Sequence, residues 1–285
     1  MVQSDPWKAL SAVVTDVDYS PIVYLDCEMT ESESHEVAAG RCEVFSCRCP
    51  GRQSANEDAG VILPCGDGRA VLALADGFGG LPAGQQAAEV ALSALADAMQ
   101  SSVVAGFSMR EGILNGFEQA NSAVTSLSVG AATTLIAVEI EAGQIRTYHV
   151  GDSMALSVGQ RGKIKLQTLS HSPTGYAVEA GLLAESDAMY HEHRHLVSNA
   201  VGAPAMRIDV GPTTVLAPRD TLILGSDGLF DNLHLDEIVQ TIRKGRLSES
   251  SRLLADGCLR RMTSPQPDHP SKPDDLIFML YRQGG

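Results

Sequence analysis

The sequence predicts an α+β protein of antiparallel sheets packed together, with helices on the outside. Three observations carry that expectation. Helical patterns arrive in pairs between runs of strands, strand candidates follow one another around short turns, and no linker divides the chain. Strand and helix do not alternate singly, as a doubly wound parallel sheet would require. The 285 residues suit one large domain with an ample core.

Residues 1–40 read as an N-terminal extension, irregular in pattern, with one apolar stretch at 21–25 and a lone Trp7. From residue 41 the chain is strand-rich. Residues 42–47 and 61–64 look like strands, and the unbroken apolar run 70–75 reads as one buried on both faces. A helix follows, because Ala88, Ala91, Leu92, Leu95 and Met99 fall on one face at helical spacing. A second helix opens on a capping box, Ser108 and Glu111, and buries Ile113, Phe117, Ala120, Val124 and Leu127. Residues 134–140 and 145–150 form a hairpin around the turn 141–144, and 154–158 with 163–169 are expected to continue that sheet. Residues 170–210 are polar and rich in histidine, an irregular insertion with short helices. A buried strand at 221–224, helices around Leu235, Ile238, Val239 and Ile242 and over 252–262, a four-proline loop at 264–273 and a last strand at 276–281 complete the reading.

Apolar residues make up 44% and mean hydropathy is near zero, so the chain reads as an ordinary globular protein. Formal charge is −14, from 35 acidic against 21 basic residues. Such a field repels nucleic acid and anionic membranes, and neither is an expected partner. No apolar run approaches the ~20 residues of a membrane helix, and residues 1–10 lack the positive charge and apolar core of a secretory leader. The expected location is cytoplasmic. Cys27, Cys42, Cys47, Cys49, Cys65 and Cys258 are accordingly expected as reduced thiols, with no zinc-site spacing among them.

Chemistry concentrates where strands meet glycine turns. Asn56-Glu57-Asp58 precedes the strand at Val61. Asp76-Gly77-Phe78-Gly79-Gly80, Gly151-Asp152-Ser153 and Gly225-Ser226-Asp227-Gly228 each follow a strand, and Asp274-Asp275 precedes the last one. Any one of these is ordinary turn chemistry. Five of them at the ends of core strands can converge, and converging carboxylates repel unless protons or cations intervene. Hard oxygen ligands select Mg²⁺ or Mn²⁺, and a two-metal site suits hydrolysis of a phosphoester. The spacing of His191, His193 and His195 suits a polar flap segment better than a metal cluster, and His149 reads as a packed strand histidine.

Taken in order, Asn56-Glu57-Asp58-Ala59, Ala75-Asp76-Gly77-Phe78-Gly79-Gly80, Gly130-Ala131-Ala132-Thr133-Thr134, Val150-Gly151-Asp152-Ser153, Ser226-Asp227-Gly228-Leu229-Phe230-Asp231 and Asp274-Asp275 resemble the motif series of type 2C (PPM) metal-dependent serine/threonine protein phosphatases. The stretch Glu179-Ala180-Gly181-Leu182-Leu183, with His191, Arg194 and Ala200-Val201-Gly202, is similar to the flap of bacterial members. The resemblance runs from about residue 40 to 282, and divides the chain into the extension 1–40 and a catalytic domain 41–285 with its flap at about 170–210.

The resemblance implies a four-layer α-β-β-α sandwich of two antiparallel sheets flanked by helices, with the metals at one end of the sheets. By position it implies that Asp76 bridges two metals, joined by the carbonyl of Gly77. Asp227 and Asp274 would serve the first metal and Glu57 and Asp58 the second, while Asp152 with Asp227 would hold a weaker third. The cofactor is then Mn²⁺ or Mg²⁺. The reaction is attack of a metal-bridging hydroxide on phosphoserine or phosphothreonine of a phosphoprotein, opposed in the cell by a serine/threonine kinase. Catalytic weight would rest on Asp58, Asp76, Asp227 and Arg52.

Two departures stand out. Phe78 occupies the place of a histidine proposed as general acid in eukaryotic members, while bacterial members commonly have an apolar residue there. The family's phosphate-binding arginine falls at Gln53, with Arg52 beside it; on a strand, a one-residue shift would turn that side chain to the other face unless a bulge restores it. A pseudophosphatase that binds phosphoproteins and a phosphatase for small phosphate esters are the competing readings. Turnover of an aryl phosphate separates the first, and a comparison of phosphopeptides with metabolites separates the second.

Overall fold

The computed structural model describes residues 19–66, 68–78, 83–128 and 130–284. Trp7 with the rest of the first 18 residues, and Gly79 and Gly80 of the aspartate-glycine motif, lie outside the described residues. Among the described residues there are two antiparallel sheets. The first has β1 (Ile22–Tyr24), β4 (Asp58–Pro64), β5 (Ala70–Phe78), β7 (Leu135–Glu141), β8 (Gln144–Val150) and β11 (Asp209–Val210) in that order; the short β6 (Ala132–Thr133) pairs with β5 and β12 (Thr214–Val215) with β8. The second runs β10 (Ile164–Gln167), β9 (Met154–Val158), β13 (Thr221–Gly225), β14 (Leu276–Gln283), β3 (Gly40–Cys47), β2 (Glu33–Val37).

Strand alternation sorts the side chains into three cores. On β5, Val71, Ala73 and Ala75 face outward against helices α1 (Ala83–Ala105) and α2 (Met109–Ser126). Ala70, Leu72 and Leu74 face the other way, into the gap between the sheets, where they meet Leu222, Leu224, Ile277 and Met279. The second sheet's outer face, with Phe45, Leu156, Ile223 and Phe278, packs against α6 (Leu235–Ile242) and α7 (Leu247–Thr263). The result is the four-layer α-β-β-α sandwich. Between β10 and β11 lie the short helices α3 (Pro173–Glu179) and α4 (Glu185–Ala188), and α5 (Asp227–Phe230) follows β13. The capping box of α2 is formed as expected, the Ser108 hydroxyl accepting from the Glu111 amide at 3.2 Å.

Three readings change. Residues 154–158 and 163–169 do not continue the first sheet: β9 and β10 belong to the second. The chain crosses at Gly151, whose φ of +109° turns it out of β8 and into the gap. Residues 19–40 contribute to both sheets, since β1 pairs with β4 and β2 with β3. The segment 76–78 is not a turn after a strand but the end of β5 itself, because β6 pairs with Gly77 and Phe78.

No helix among the described residues is long and apolar enough to cross a membrane. All six cysteines are free thiols.

The crossover depends on a residue without a side chain. A Cβ at Gly151 would lie 2.6 Å from both Cβ and Cγ2 of Thr134, on a backbone that other residues rarely adopt. Gly151→Ala is expected to cost about 2–3 kcal/mol from strain and overpacking together, read as a fall in the denaturant midpoint. Wild-type stability in this variant would show that the crossover has slack.

Candidate functional site

The alternation that builds the inter-sheet core also sets the site. Ile62 and Gly60 on β4, and Leu72 and Leu74 on β5, face the second sheet; two residues further along each strand stand Asp58 and Asp76. The two are direct partners in the β4–β5 ladder, so their carboxylates share the mouth of the gap. Asp227 enters from the end of β13 at the start of α5, Asp274 from just before β14, and Asp152 from the crossover after Gly151.

Neighbours hold these groups in place. Asp58 accepts a 2.7 Å hydrogen bond from the Ser226 hydroxyl, and its amide donates to Asn56 Oδ1 at 2.9 Å. The buried Asn56 is fixed in turn by bonds to the carbonyl of Cys27 and the hydroxyl of Ser46. The Asp76 amide donates to Thr134 Oγ1 and its carbonyl accepts from both the Thr133 hydroxyl and the Thr134 amide, while Thr134 Oγ1 meets Ser153 Oγ at 2.8 Å. Asp275 has both oxygens engaged, by the amides of Cys49 at 2.7 Å and Glu57 at 2.8 Å. It ties the loop 48–57 to the last strand. The backbones of Gly77 and Gly84 touch beside Glu57: a Cβ on Gly77 would lie 2.0 Å from the Gly84 carbonyl oxygen, and one on Gly84 2.2 Å from Glu57 Oε1.

Burial and mutual repulsion raise the pKa of several of these carboxylates. Asp58 and Asp76 are pushed well above the usual carboxylate range, by desolvation first and then by neighbouring aspartates. Desolvation and Asp227 push Asp152 up to about 8, and the same two causes raise Asp231 to about 6. Asp274 and Glu57 are raised as well, again chiefly by desolvation. Glu57 Oε1 is buried with no hydrogen-bond partner. An all-oxygen set of crowded carboxylates with an open oxygen among them fits hard divalent cations.

A cation of the chain's own stands at one side. The Lys272 ammonium donates to Asp227 Oδ2 and lies 3.2 Å from Asp274 Oδ2 and 3.3 Å from Asp231 Oδ2, the last without hydrogen-bond geometry. Sequence reasoning missed Lys272, since a proline-rich loop offers no periodic signal. It also missed Ser226 and Thr134 as supports, although both sit inside quoted motifs. Arg52 lies in a loop rather than a strand, so the strand-face objection does not apply; its guanidinium is 3.9 Å from Asp274 Oδ1 and partly exposed. A cleft of about 340 Å³ opens beside Asp152, Asp227 and Asp231 and is closed on its far side by Val178, Met189 and Arg194 of the 170–210 segment.

Among the described residues, His149, His171 and Asp209 are the group whose possible ligand atoms lie within 4.8 Å of one another; the site's aspartates do not close that tightly around a single point. The hydrogen bonds of the histidine group disfavour a metal there. His171 Nδ1 receives the Gly151 amide at 3.1 Å and faces the Asn199 amide nitrogen at 2.9 Å, which leaves its proton on Nε2, 3.0 Å from Asp209. His149 is a packed strand residue, bonded through Nε2 to the Leu169 carbonyl and held down to about 4 by burial and by His171. The pair braces the crossover.

Comparison with known proteins agrees with this geometry. The family model described as Protein phosphatase 2C matches residues 49–255. The chain is 27% identical over 206 residues to a serine/threonine phosphatase, Stp, of Listeria monocytogenes, covering 69% of this chain and 81% of the relative. It is 31% identical over 179 residues to the protein phosphatase PhpP of Streptococcus pneumoniae, covering 60% and 72%. In three dimensions it is similar to the Streptococcus agalactiae serine/threonine phosphatase, with a TM-score of 0.71 at 26% identity, over 85% of this chain and 100% of the other. With the family model spanning more than half of its length, the chain belongs to the protein phosphatase 2C family of metal-dependent serine/threonine phosphatases.

Proposed function

We propose that the protein hydrolyses phosphoserine and phosphothreonine in phosphoproteins at a centre of two Mn²⁺ or Mg²⁺ ions, opposing a serine/threonine kinase. The observation that carries this reading is the side-by-side placement of Asp58 and Asp76 at the inter-sheet mouth, with Asp227 and Asp274 brought to them from the second sheet. Asp76, near enough to Asp58, Asp227 and Asp274 to be pushed up by all three, would help hold both ions together with the Gly77 carbonyl. Asp227 and Asp274 would complete one ion's shell, and Glu57 and Asp58 the other's. When bound, the ions supply the positive charge that activates a water and neutralises phosphoryl oxygens.

The chain's own residues supply the rest. Arg52, at the rim and free to lean from Asp274, would hold the phosphate with its guanidinium fork. Ser226 holds the carboxylate of Asp58 and Thr134 the backbone of Asp76 before substrate arrives. The adjoining cleft offers room for residues next to the phosphorylated one. Phe78 cannot donate a proton, so protonation of the leaving alkoxide falls to water.

Phosphate release from a phosphothreonine peptide should require added Mn²⁺ or Mg²⁺, vanish with excess chelator and return when Mn²⁺ is restored. Full turnover in chelator would end the proposal.

Asp76→Asn and Asp227→Asn should each lower kcat by at least about 10–100-fold, the loss typical of disturbing even the outer partners of a metal site, while circular dichroism stays that of the wild type. Arg52→Ala in the same assays should act mainly on KM. Near-normal kcat in either aspartate variant would refute the ligand assignment.

The raised acidity constant of Asp152 gives a pH signature in protein stripped of metal. An acid whose pKa is raised by folding contributes its full stability below its ordinary value of 3.8 and loses it as pH climbs through about 8. Asparagine cannot ionise and carries no such loss. Asp152→Asn should therefore match the wild type in Tm near pH 4, gain on it steadily up to pH 8, and gain no more above. A Tm difference independent of pH would mean that Asp152 is not the group paying the cost.

A further inference from the structure

The resemblance expects a weak third cation between Asp152 and Asp227, and the structure puts the Lys272 ammonium on Asp227, beside Asp231 and Asp274. We propose that Lys272 is a tethered cation that takes the third divalent ion's place, so that this centre loads two ions and no more. The inference rests on the two-ion reading above.

Four observations support it. First, the charges match: the Lys272 ammonium donates to Asp227 and lies 3.3 Å from Asp231 Oδ2 and 3.2 Å from Asp274 Oδ2. Second, the lysine is built in. Its amide donates to Asn232 Oδ1 at 2.9 Å and its carbonyl accepts from Asn232 Nδ2 at 2.8 Å, so one fully buried side chain clamps both sides of its backbone. Arg261 anchors the clamp by donating to the Asn232 carbonyl. Only 17% of the Lys272 side chain is exposed.

Third, its influence is local. Lys272 pairs with Asp227, Asp231 and Asp274, and among the described residues no ion pair joins it to Asp58 or Asp76. The ammonium thus serves the Asp227–Asp231 side and leaves the Asp58–Asp76 side to the paired ions. Fourth, Asp231 is an acid that the two-ion set does not use, and Lys272 is its nearest positive charge among the described residues. A divalent ion entering between Asp152, Asp227 and Asp231 would meet the ammonium at close range and be repelled.

The test counts ions. Wild-type protein and Lys272→Met are dialysed to equilibrium against Mn²⁺ up to millimolar concentration, with free Mn²⁺ read by electron paramagnetic resonance. Two ions per wild-type chain and three per variant chain are expected. Three in the wild type overturns the proposal. Two in the variant also overturns it; if those two bind more tightly than in the wild type, Lys272 instead competes with the paired ions. Binding of none in the wild type removes the two-ion centre as well, which separates that failure from this one. Should the variant not fold, anomalous scattering from wild-type crystals grown in Mn²⁺ decides alone. A manganese peak beside Asp152 and Asp231 overturns the proposal, and two peaks with the Lys272 ammonium on that side support it.

Discussion

The structure is governed by one electrostatic constraint: at least five carboxylates are held together at the end of a sandwich, where water screens them only in part. Asp58 and Asp76 are neighbours on paired strands, both well withdrawn from solvent; Asp58 makes Asp76 harder to ionise, and Asp275, Asp274 and Asp227 do the same to Asp58. Left to themselves such groups would part or take up protons. They stay because the strands that carry them are locked by apolar packing. Leu72, Leu74, Ile277 and Met279 are fully buried between the sheets, directly behind the charges. The core thus opposes a repulsion that function requires, and the site can be assembled before any cation or substrate arrives.

The supports around the cluster follow from the same constraint. A carboxylate on a mobile chain would swing into water, so each is tied close to its root. Ser226 holds Asp58, Thr133 and Thr134 hold the backbone of Asp76, and Asp275 draws the amides of Cys49 and Glu57 toward the last strand. Gly77 and Gly84 let two backbones touch beside Glu57, which no larger residue would allow. These bonds lie across 57 to 226 positions of sequence. The site is therefore a property of the whole sandwich, and no single motif folds it.

That distance explains what was legible in the chain and what was not. The helices α1 and α2, the 135–150 hairpin and the last strand could be read locally, because periodicity and capping are local signals. The aspartates could be read because each sits at a strand end, and Asp76, Asp152 and Asp227 also sit beside glycine. The change of sheet at Gly151 could not: β9 alternates as well in one sheet as in the other, and only the crossing backbone decides. β2 was hidden because Glu33, Ser34, His35 and Glu36 form an edge strand with little to bury. Arg52 was argued on strand geometry although its segment is a loop held by Cys49 and Asp275. Lys272 lies among prolines, where spacing carries no meaning, and its partners come from 45 positions away in the case of Asp227.

Hydrogen-bond accounting separates acids that brace the site from acids that can bind. Asp275 sits in the same motif as Asp274 and is more deeply buried, and each of its oxygens holds a backbone amide, so that it braces the loop 48–57. Asp58 spends one oxygen on Ser226 and keeps the other. Glu57 keeps Oε1 buried and unpartnered. Asp227 and Asp274 each share one oxygen with Lys272, and Asp274 Oδ1 also accepts from the Asp275 amide at 3.0 Å, which leaves lone pairs on both residues for a cation. The open valences therefore gather on Glu57, Asp58, Asp76, Asp227 and Asp274, around the point where β4, β5, β13 and β14 end. An unspent oxygen in a buried place costs free energy unless something comes to it, and an all-oxygen site between two sheets suits a hard cation.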